Sequence, residues 1–386
     1  MPHFQAIKGA GISDLDTTVA ALEIYLDLME SGLLADHLSI RNHIEAALAS
    51  AKADLLADIA AKEALLIADH AAIKAALLAD HLVVRDHIEA ALTVIAAAIT
   101  FHIPITRSAF GGTVRYGAGC AAYGDKIYLG AGWDTPTGYR KDWWYYYPPN
   151  DTWTARLDFA GTARYDAICA PGPTGIYLGL GFDGVRKKDW WYYDPAANTW
   201  TAKLDFAGTA RLGGCTAQVG NIIYVGLGHD GVNKKDWWAY DTVANTWTAK
   251  LDFAGTARQY PTCAAVGTKI YVGLGNDGAP CADWWEYDTV ANTWTAKTTF
   301  PGAARSSTFC ASNGSKIWVG AGYSTAELLD AWIYDPATDT WTPTNDSAAG
   351  KRYQGNAAQL NNSVYIGLGR LAATYYKDWY NQHLFT

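Results

Sequence analysis

An arginine following a run of small residues recurs at Arg115, Arg164, Arg211, Arg258, Arg305 and Arg352, with one interval of 49 residues and four of 47. Each is followed by an apolar pair and glycine (IYLGAG, IYLGLG, IYVGLG, IYVGLG, IWVGAG, VYIGLG). An aspartate ahead of aromatic residues comes next, at Asp142, Asp189, Asp236, Asp283, Asp330 and Asp378. Five units close on a Trp-Thr pair, at Trp153, Trp200, Trp247, Trp294 and Trp341. Such a period means one supersecondary unit repeated, and a unit that cannot bury its own apolar faces must stack on its neighbours.

Within a unit, four short runs of strand composition are separated by Gly, Asp, Asn and Pro turns, the pattern of a four-stranded antiparallel blade. In the third unit the strands are expected near 212–218 (a), 222–227 (b), 237–241 (c) and 246–250 (d). The arginine, the Ile-Tyr-Val-Gly-Leu-Gly segment, the Asp-Trp-Trp and the Tyr-Asp-x-x-x-Asn-Thr-Trp phrase together resemble kelch repeats, over about 285 residues. That resemblance implies a β-propeller and leaves activity open, because kelch propellers host oxidases, epimerases, adaptors and adhesins alike. The family's Gly-Gly doublet reads Gly-Leu-Gly or Gly-Ala-Gly here, a departure expected to leave the fold intact. Kelch-type oxidases hold copper with tyrosine, histidine and cysteine; the histidines of this propeller, His102, His229 and His383, are scattered in sequence, and no cofactor or metal is expected.

The sixth unit stops at Thr386 without a d strand, which would leave an open edge. The stretch HIPITRSAFGGTVR, residues 102–115, resembles the end of a unit placed before the first one. Aligned on the arginine, Pro104 falls where other units have Trp, and Phe110 matches Phe159, Phe206, Phe253 and Phe300. Proline is admissible in an outermost strand. The expectation is therefore a six-bladed ring closed by an N-terminal d strand. In that topology the chain enters on the face of the a–b and c–d turns, leaving the b–c and d–a loops facing away.

The b–c tips (WDTPTGYRK, FDGVRKK, HDGVNKK, NDGAPCA, YSTAELL, RLAATYYK) vary against a nearly constant scaffold, and variable loops on a rigid frame are where binding concentrates. Asp-Gly in three of them makes hairpin turns. Trp133, Asp134, Tyr139, Phe182, His229, Asn276, Tyr323, Arg370 and Tyr375 are the candidate ligand-binding residues, since exposed aromatics with polar neighbours suit a sugar or a protein surface. The six arginines and six aspartates are read as structural pairs. The doubled tryptophans should point to opposite faces of strand c, mostly into blade-to-blade core. Cys120, Cys169, Cys215, Cys263 and Cys310 take corresponding places, with Ala357 in the sixth unit, and read as small buried residues. No metal-binding Cys/His spacing, nucleophile elbow or P-loop occurs.

The first hundred residues differ: they hold none of the seventeen Trp and none of the six Cys. Neither Gly nor Pro occurs between Leu33 and Thr100, so nothing forces a turn. In blocks of eleven from Leu33, apolar residues recur at Leu33, Ile44, Leu55, Leu66, Leu77 and Ile88, with a stripe completed by positions such as Leu48, Ala51 and Ile59 and by His37, His70 and His81. Eleven residues in three turns winds right-handed, and one exposed apolar stripe on so long a helix needs partner helices. The chain thus reads as multidomain α plus all-β: an attachment segment at 1–32, a parallel homo-oligomeric coiled-coil stalk at 33–100 with three strands favoured over two or four, and a kelch-like propeller at 102–386. The histidine layers read as register-fixing polar layers, with metal or anion binding as the alternative.

With a net charge of -8 and no basic stripe, no nucleic-acid partner is expected. No apolar run is long enough to insert in a membrane, and no standard signal peptide opens the chain. The expected function is a fibre or adhesin, not an enzyme, borne on a phage or other virion surface and so extracellular. Its partners would be itself, an anchoring protein at residues 1–32, and a cell-surface glycan or protein receptor. The alternative is a mutarotase- or hydrolase-like carbohydrate-active enzyme with its site on the propeller axis.

Overall fold

The computed structural model describes residues 20, 37–66, 84, 85, 87–89 and 104–383, apart from 136, 137 and 362. The chain divides into two compact units, Met1–Ile105 and Thr106–Thr386. Among the described residues of the second, the repeat produces six four-stranded sheets, the blades of a propeller. In blade three, strands a to d are Cys215–Val219, Ile222–Gly226, Trp237–Asp241 and Thr246–Lys250. Strand a begins later than its composition predicts because Leu212 is taken by a bridge to His229 and Gly213 turns left-handed. The sixth sheet has the order Asn356–Leu360, Ser363–Gly367, Trp379–His383 and then Ile105–Arg107 at its outer edge, so the N-terminal strand closes the ring.

Each repeated arginine is buried and anchors its own blade. Arg115 donates two bonds to the Asp142 carboxylate (2.6 and 2.8 Å), one to the Ala131 carbonyl (2.9 Å) and one to the Thr113 carbonyl (3.1 Å), while its guanidinium lies 4.8 Å from the Phe110 ring. The same aspartate accepts the indole N–H of the second tryptophan, Trp144 (2.8 Å). One charge cluster thereby ties the d–a connection, the end of strand b and the start of strand c. In blade six Ser347 stands where other units carry phenylalanine, and Tyr376 stacks on Arg352 instead, at 4.0 Å. The leucine inserted in Gly-Leu-Gly causes no conflict: Leu180, Leu227, Leu274 and Leu368 turn left-handed with fully buried side chains.

Two further interactions join blade to blade. The glycine after that residue donates its N–H to the arginine carbonyl of the next blade, from Gly132 to Arg164 (2.7 Å) around to Gly369 to Arg115 (2.9 Å). Only glycine suits this position, because its φ lies between 88° and 104° and a side chain would press on neighbouring backbone. On the outside, the closing phrase clips each blade to the preceding one: Trp247 donates to the Leu204 carbonyl (3.0 Å), and Asn245 accepts from Leu204 N–H (3.0 Å) and the Tyr240 hydroxyl (2.8 Å). Trp153 and Asp151 do the same to Ser108, just beyond the closing strand. Blade six has no such phrase, and Gln382 on its strand c substitutes, donating to the Asp346 carbonyl (3.2 Å) and accepting from Ala348 N–H (3.3 Å).

The first tryptophan of each pair (Trp143, Trp190, Trp237, Trp284) is fully buried between blades, whereas the second is half-buried against the aspartate, as alternation along a strand requires. Blade five has Ala331 at the first position, and Trp318 of strand b is fully buried in its place. The cysteines need correction: of the five in the repeat only Cys215 is buried, and the other four are half-buried. Cys120, Cys169, Cys263 and Cys310 share a register opposite Leu129, Leu178, Val272 and Val319, but Cys215 sits one residue earlier, opposite Gly226, and Thr216 takes the common place. The blade-three cysteine follows the arginine by four residues instead of five, which turns it to the other face.

In the first unit, His37–Leu66 is an α-helix of 30 residues, about 45 Å long. Between residues 43 and 59, the side chains short of full exposure are Ile44, Leu48, Ala51, Leu55, Asp58 and Ile59, with Ile44 almost fully buried. Five of these six positions are ones that the 11-residue period marks, whereas Val84, another such position, is exposed. Residues 84, 85 and 87–89 are helical as well; the remainder of the expected stalk, the attachment segment apart from residue 20, and the side chains of His37, His70 and His81 lie outside the described residues. No helix among the described residues is long and apolar enough to cross a membrane.

Replacing Asp236 by Ala leaves the Arg211 guanidinium buried and unpaired, with an expected loss on the order of 3 kcal/mol in urea unfolding. Gln382→Ala, which removes the substitute clip, should cost about 1 kcal/mol. Equal or negligible losses for the two variants would contradict this ranking.

Candidate functional site

The d–a connections and the b–c tips meet on one face of the ring. The residue after each repeated arginine pairs, backbone to backbone, with the first residue of a tip: Tyr116 with Trp133, Tyr165 with Phe182, Leu212 with His229, Gln259 with Asn276, Ser306 with Tyr323, Tyr353 with Arg370. Six of the nine predicted residues therefore occupy one equivalent position around the ring. Tyr139 and Tyr375 come from the return arms of two tip hairpins.

On blades five, six, one and two these positions form a continuous aromatic arc. Tyr323 lies 5.1 Å from Tyr353, the Arg370 guanidinium sits 4.5 Å from both Tyr353 and Tyr116, and Tyr116 is 5.3 Å from Tyr375 and 5.8 Å from Tyr165. Tyr165 stacks on Tyr139 (6.0 Å) and meets Trp133 and Phe182 edge-on. Blades three and four are polar instead: His229 Nδ1 is 3.1 Å from Arg186, and Asn276 accepts from the Asn233 amide through its carbonyl (3.1 Å). Asp134 does not belong to the surface. It is buried, accepting from Arg140 (2.6 Å) and the Thr113 hydroxyl (2.6 Å), because the long tip of blade one needs an internal charge pair to hold its shape.

Inside the arc, the second residue after each arginine reaches the axis: Gly117, Asp166, Gly213, Tyr260, Ser307 and Gln354, all with φ between 50° and 61°. Five backbone bonds run around this circle, among them Asp166 N–H to Gly117 (2.8 Å) and Tyr260 N–H to Gly213 (2.7 Å). Small and large residues alternate. A Cβ at Gly117 would fall 2.5 Å from Asp166 Oδ1, and one at Gly213 would fall 2.9 Å from the Tyr260 ring, so the glycines make room for their neighbours. The large side chains converge. The Tyr260 hydroxyl donates to Asp166 Oδ2 (2.6 Å), and the Gln354 amide donates weakly to both carboxylate oxygens (3.3 and 3.4 Å).

A cavity of about 150 Å³ opens here, lined by Asp166, Tyr260, Gln354, Thr308 and the axial glycines. Burial pushes the Asp166 carboxyl up to about 7, against the Tyr260 hydrogen bond, the Arg370 charge and the Gln354 bond, which lower it. Burial and the adjacent carboxylate raise the Tyr260 phenol. A wider depression of about 890 Å³ between blades one and two carries Lys141, Arg186, Lys187 and Lys188. Lys187 is held by Asp183 (2.8 Å), and Arg164 and Asp189 of the scaffold form part of its lining. Among the described residues, no group of three or more His, Cys, Asp or Glu is placed to hold a metal.

Reading the tips alone misses Tyr116, Tyr165, Tyr353 and the axial Asp166, Tyr260 and Gln354. The signal was available in the columns one and two residues after the arginine, where the second alternates small and large.

Because folded Asp166 binds its proton more tightly than the unfolded carboxyl, whose ordinary value is 3.8, the wild type loses stability as pH rises from about 4 to 7. Asp166→Asn removes that dependence, so its stability relative to wild type should grow across the same window. Carboxyl carbon NMR should place the Asp166 titration near 7, and Tyr260→Phe should move it higher; a midpoint near 4 would contradict the burial argument.

None of the curated proteins matches this chain in sequence. Residues 209–369, which take in most of blades three to six, match the family model for the KLHDC2/KLHL20/DRC7 Kelch-repeats domain, and with the six-bladed ring this shows that the chain carries a kelch-repeat β-propeller.

Proposed function

We propose that the protein is an oligomeric fibre or adhesin, carried on a virion surface, whose propeller binds a receptor or surface glycan through the b–c and d–a loop face. The observation that carries this reading is the aromatic arc from Tyr323 to Phe182. Outer clips and charge clusters recur from blade to blade, with substitutes in blade six, yet among the described residues rings gather on the loop face of blades five, six, one and two. Aromatic faces suit both the apolar side of a sugar ring and the anchor residues of a protein interface.

The stalk part of the proposal rests on the 11-residue period from Leu33. A stripe of that kind calls for partner helices, and a parallel trimer is the proposed state. Each d strand runs toward the loop face, with Thr152 opposite Tyr147 and Arg156 opposite Trp143 in blade one, and Ile105–Arg107 occupies the same place in blade six. A second reading, a carbohydrate-active enzyme, is favoured by Asp166 alone. It is the one carboxylate in the axial cavity lining, whereas glycoside hydrolysis ordinarily needs two.

Light scattering of the full chain should give three times the monomer mass. On a glycan array or on receptor-bearing cells, Trp133→Ala with Tyr139→Ala should reduce binding at least tenfold, as loss of an interface anchor does. A monomeric protein would sink the fibre reading, and unchanged binding would sink the loop face.

A further inference from the structure

The axial cavity has a composition that selects its occupant. Its polar side-chain atoms at the centre are mostly acceptors: the Asp166 carboxylate keeps lone pairs beyond those used by Tyr260 and Gln354, and the buried Gln354 Oε1 has no hydrogen-bond partner. A buried acceptor left unmatched costs free energy that a donor would recover. An occupant must therefore bring donors. An anion is disfavoured by the carboxylate and by Gln354 Oε1. A cation is disfavoured because Arg370 already lies on the faces of Tyr116 and Tyr353 and its charge acts on Asp166.

Size narrows the choice further. A volume of about 150 Å³ is five waters' worth at ~30 Å³ each, well below a drug-sized pocket. It accepts the edge of one small polar molecule. Tyr116 and Tyr165 of the aromatic arc stand in the same d–a connections, each one residue before the Gly117 and Asp166 of the cavity lining.

We propose that Asp166, Tyr260 and Gln354 form an axial subsite for the hydroxyl edge of a single neutral sugar unit, whose ring lies against Tyr116 and Tyr165. This rests on the loop face being a binding surface and specifies what that surface takes. Hydroxyl groups donate to Asp166 and Gln354 Oε1, and the glycines at 117 and 213 keep the space that a side chain would fill. Asp166, Tyr260 and Gln354 act here as binding residues; no bond is made or broken.

The test uses the full-length protein and saturation-transfer NMR with D-galactose, D-glucose and N-acetylglucosamine as neutral probes, N-acetylneuraminic acid as anion and choline as cation. At least one neutral sugar should bind and the charged probes should not. Asp166→Asn and Tyr260→Phe should each weaken that sugar about tenfold, the worth of one hydrogen bond to a charged group. The groups facing Asp166 are Tyr260, Gln354, Arg370, Tyr165 and Tyr116; burial raises the three phenols, and the carboxyl, pushed up to about 7, titrates between pH 5 and 8. Wild-type binding should therefore weaken as pH falls from 8 to 5, while Asp166→Asn should be flat, a response that a merely structural Asp166 would not give. Binding of choline or N-acetylneuraminic acid alone, no binding of any neutral sugar, or binding untouched by both variants would overturn the subsite. If Trp133→Ala with Tyr139→Ala abolishes attachment to receptor-bearing cells while Asp166→Asn does not, the loop-face reading stands and the axial subsite falls. If neither change affects attachment, both fall.

Discussion

A guanidinium buried at the loop-face end of every blade is the interaction on which the rest of the propeller depends. Taking that charge out of water is costly, and it is tolerated because one carboxylate and one to three carbonyls surround it in fixed geometry. Arg211, for example, meets both oxygens of Asp236 and the carbonyls of Leu227 and Thr209. The arrangement leaves little freedom: it sets where strand b ends, where strand c starts and how the preceding connection enters. The Arg211 carbonyl then receives the Gly181 N–H of the blade before. A single residue thus fixes the inside of one blade and its seam with another.

The exceptions show that the ring is held by positions, with residue identity open to exchange. Tyr376 replaces the missing phenylalanine over Arg352, Trp318 fills the core that Ala331 leaves, and Gln382 stands in for a clip that a borrowed N-terminal strand does not carry. Each substitution comes from a different strand or loop than the group it replaces. Close packing demands that the volume or the hydrogen bond be supplied, and it is indifferent to which segment supplies it.

The candidate site lies where this repetition is broken. Around the axis six equivalent left-handed positions carry Gly, Asp, Gly, Tyr, Ser and Gln, and around the rim rings gather on four blades of six. The scaffold imposes near-symmetry and the site departs from it. Asp166 is the clearest case: its equivalents have no charge, and its carboxyl is pushed up to about 7 by burial at the one point where all six blades meet.

The amino-acid sequence by itself determined the blade count, the strand order within a blade, the closing strand at Ile105–Arg107 and the structural role of the arginines, because each is a local pattern repeated at a fixed period. It also marked the rim positions from Trp133 to Arg370, since loop variation is visible when the frame is constant. It misplaced Cys215 and exposed Asp134, because a one-residue register shift and an internal ion pair depend on neighbours that spacing does not reveal. Only the tertiary structure decided that Asp166, Tyr260 and Gln354 touch. They lie 94 and 188 residues apart, and nothing brings them together except the closure of the ring.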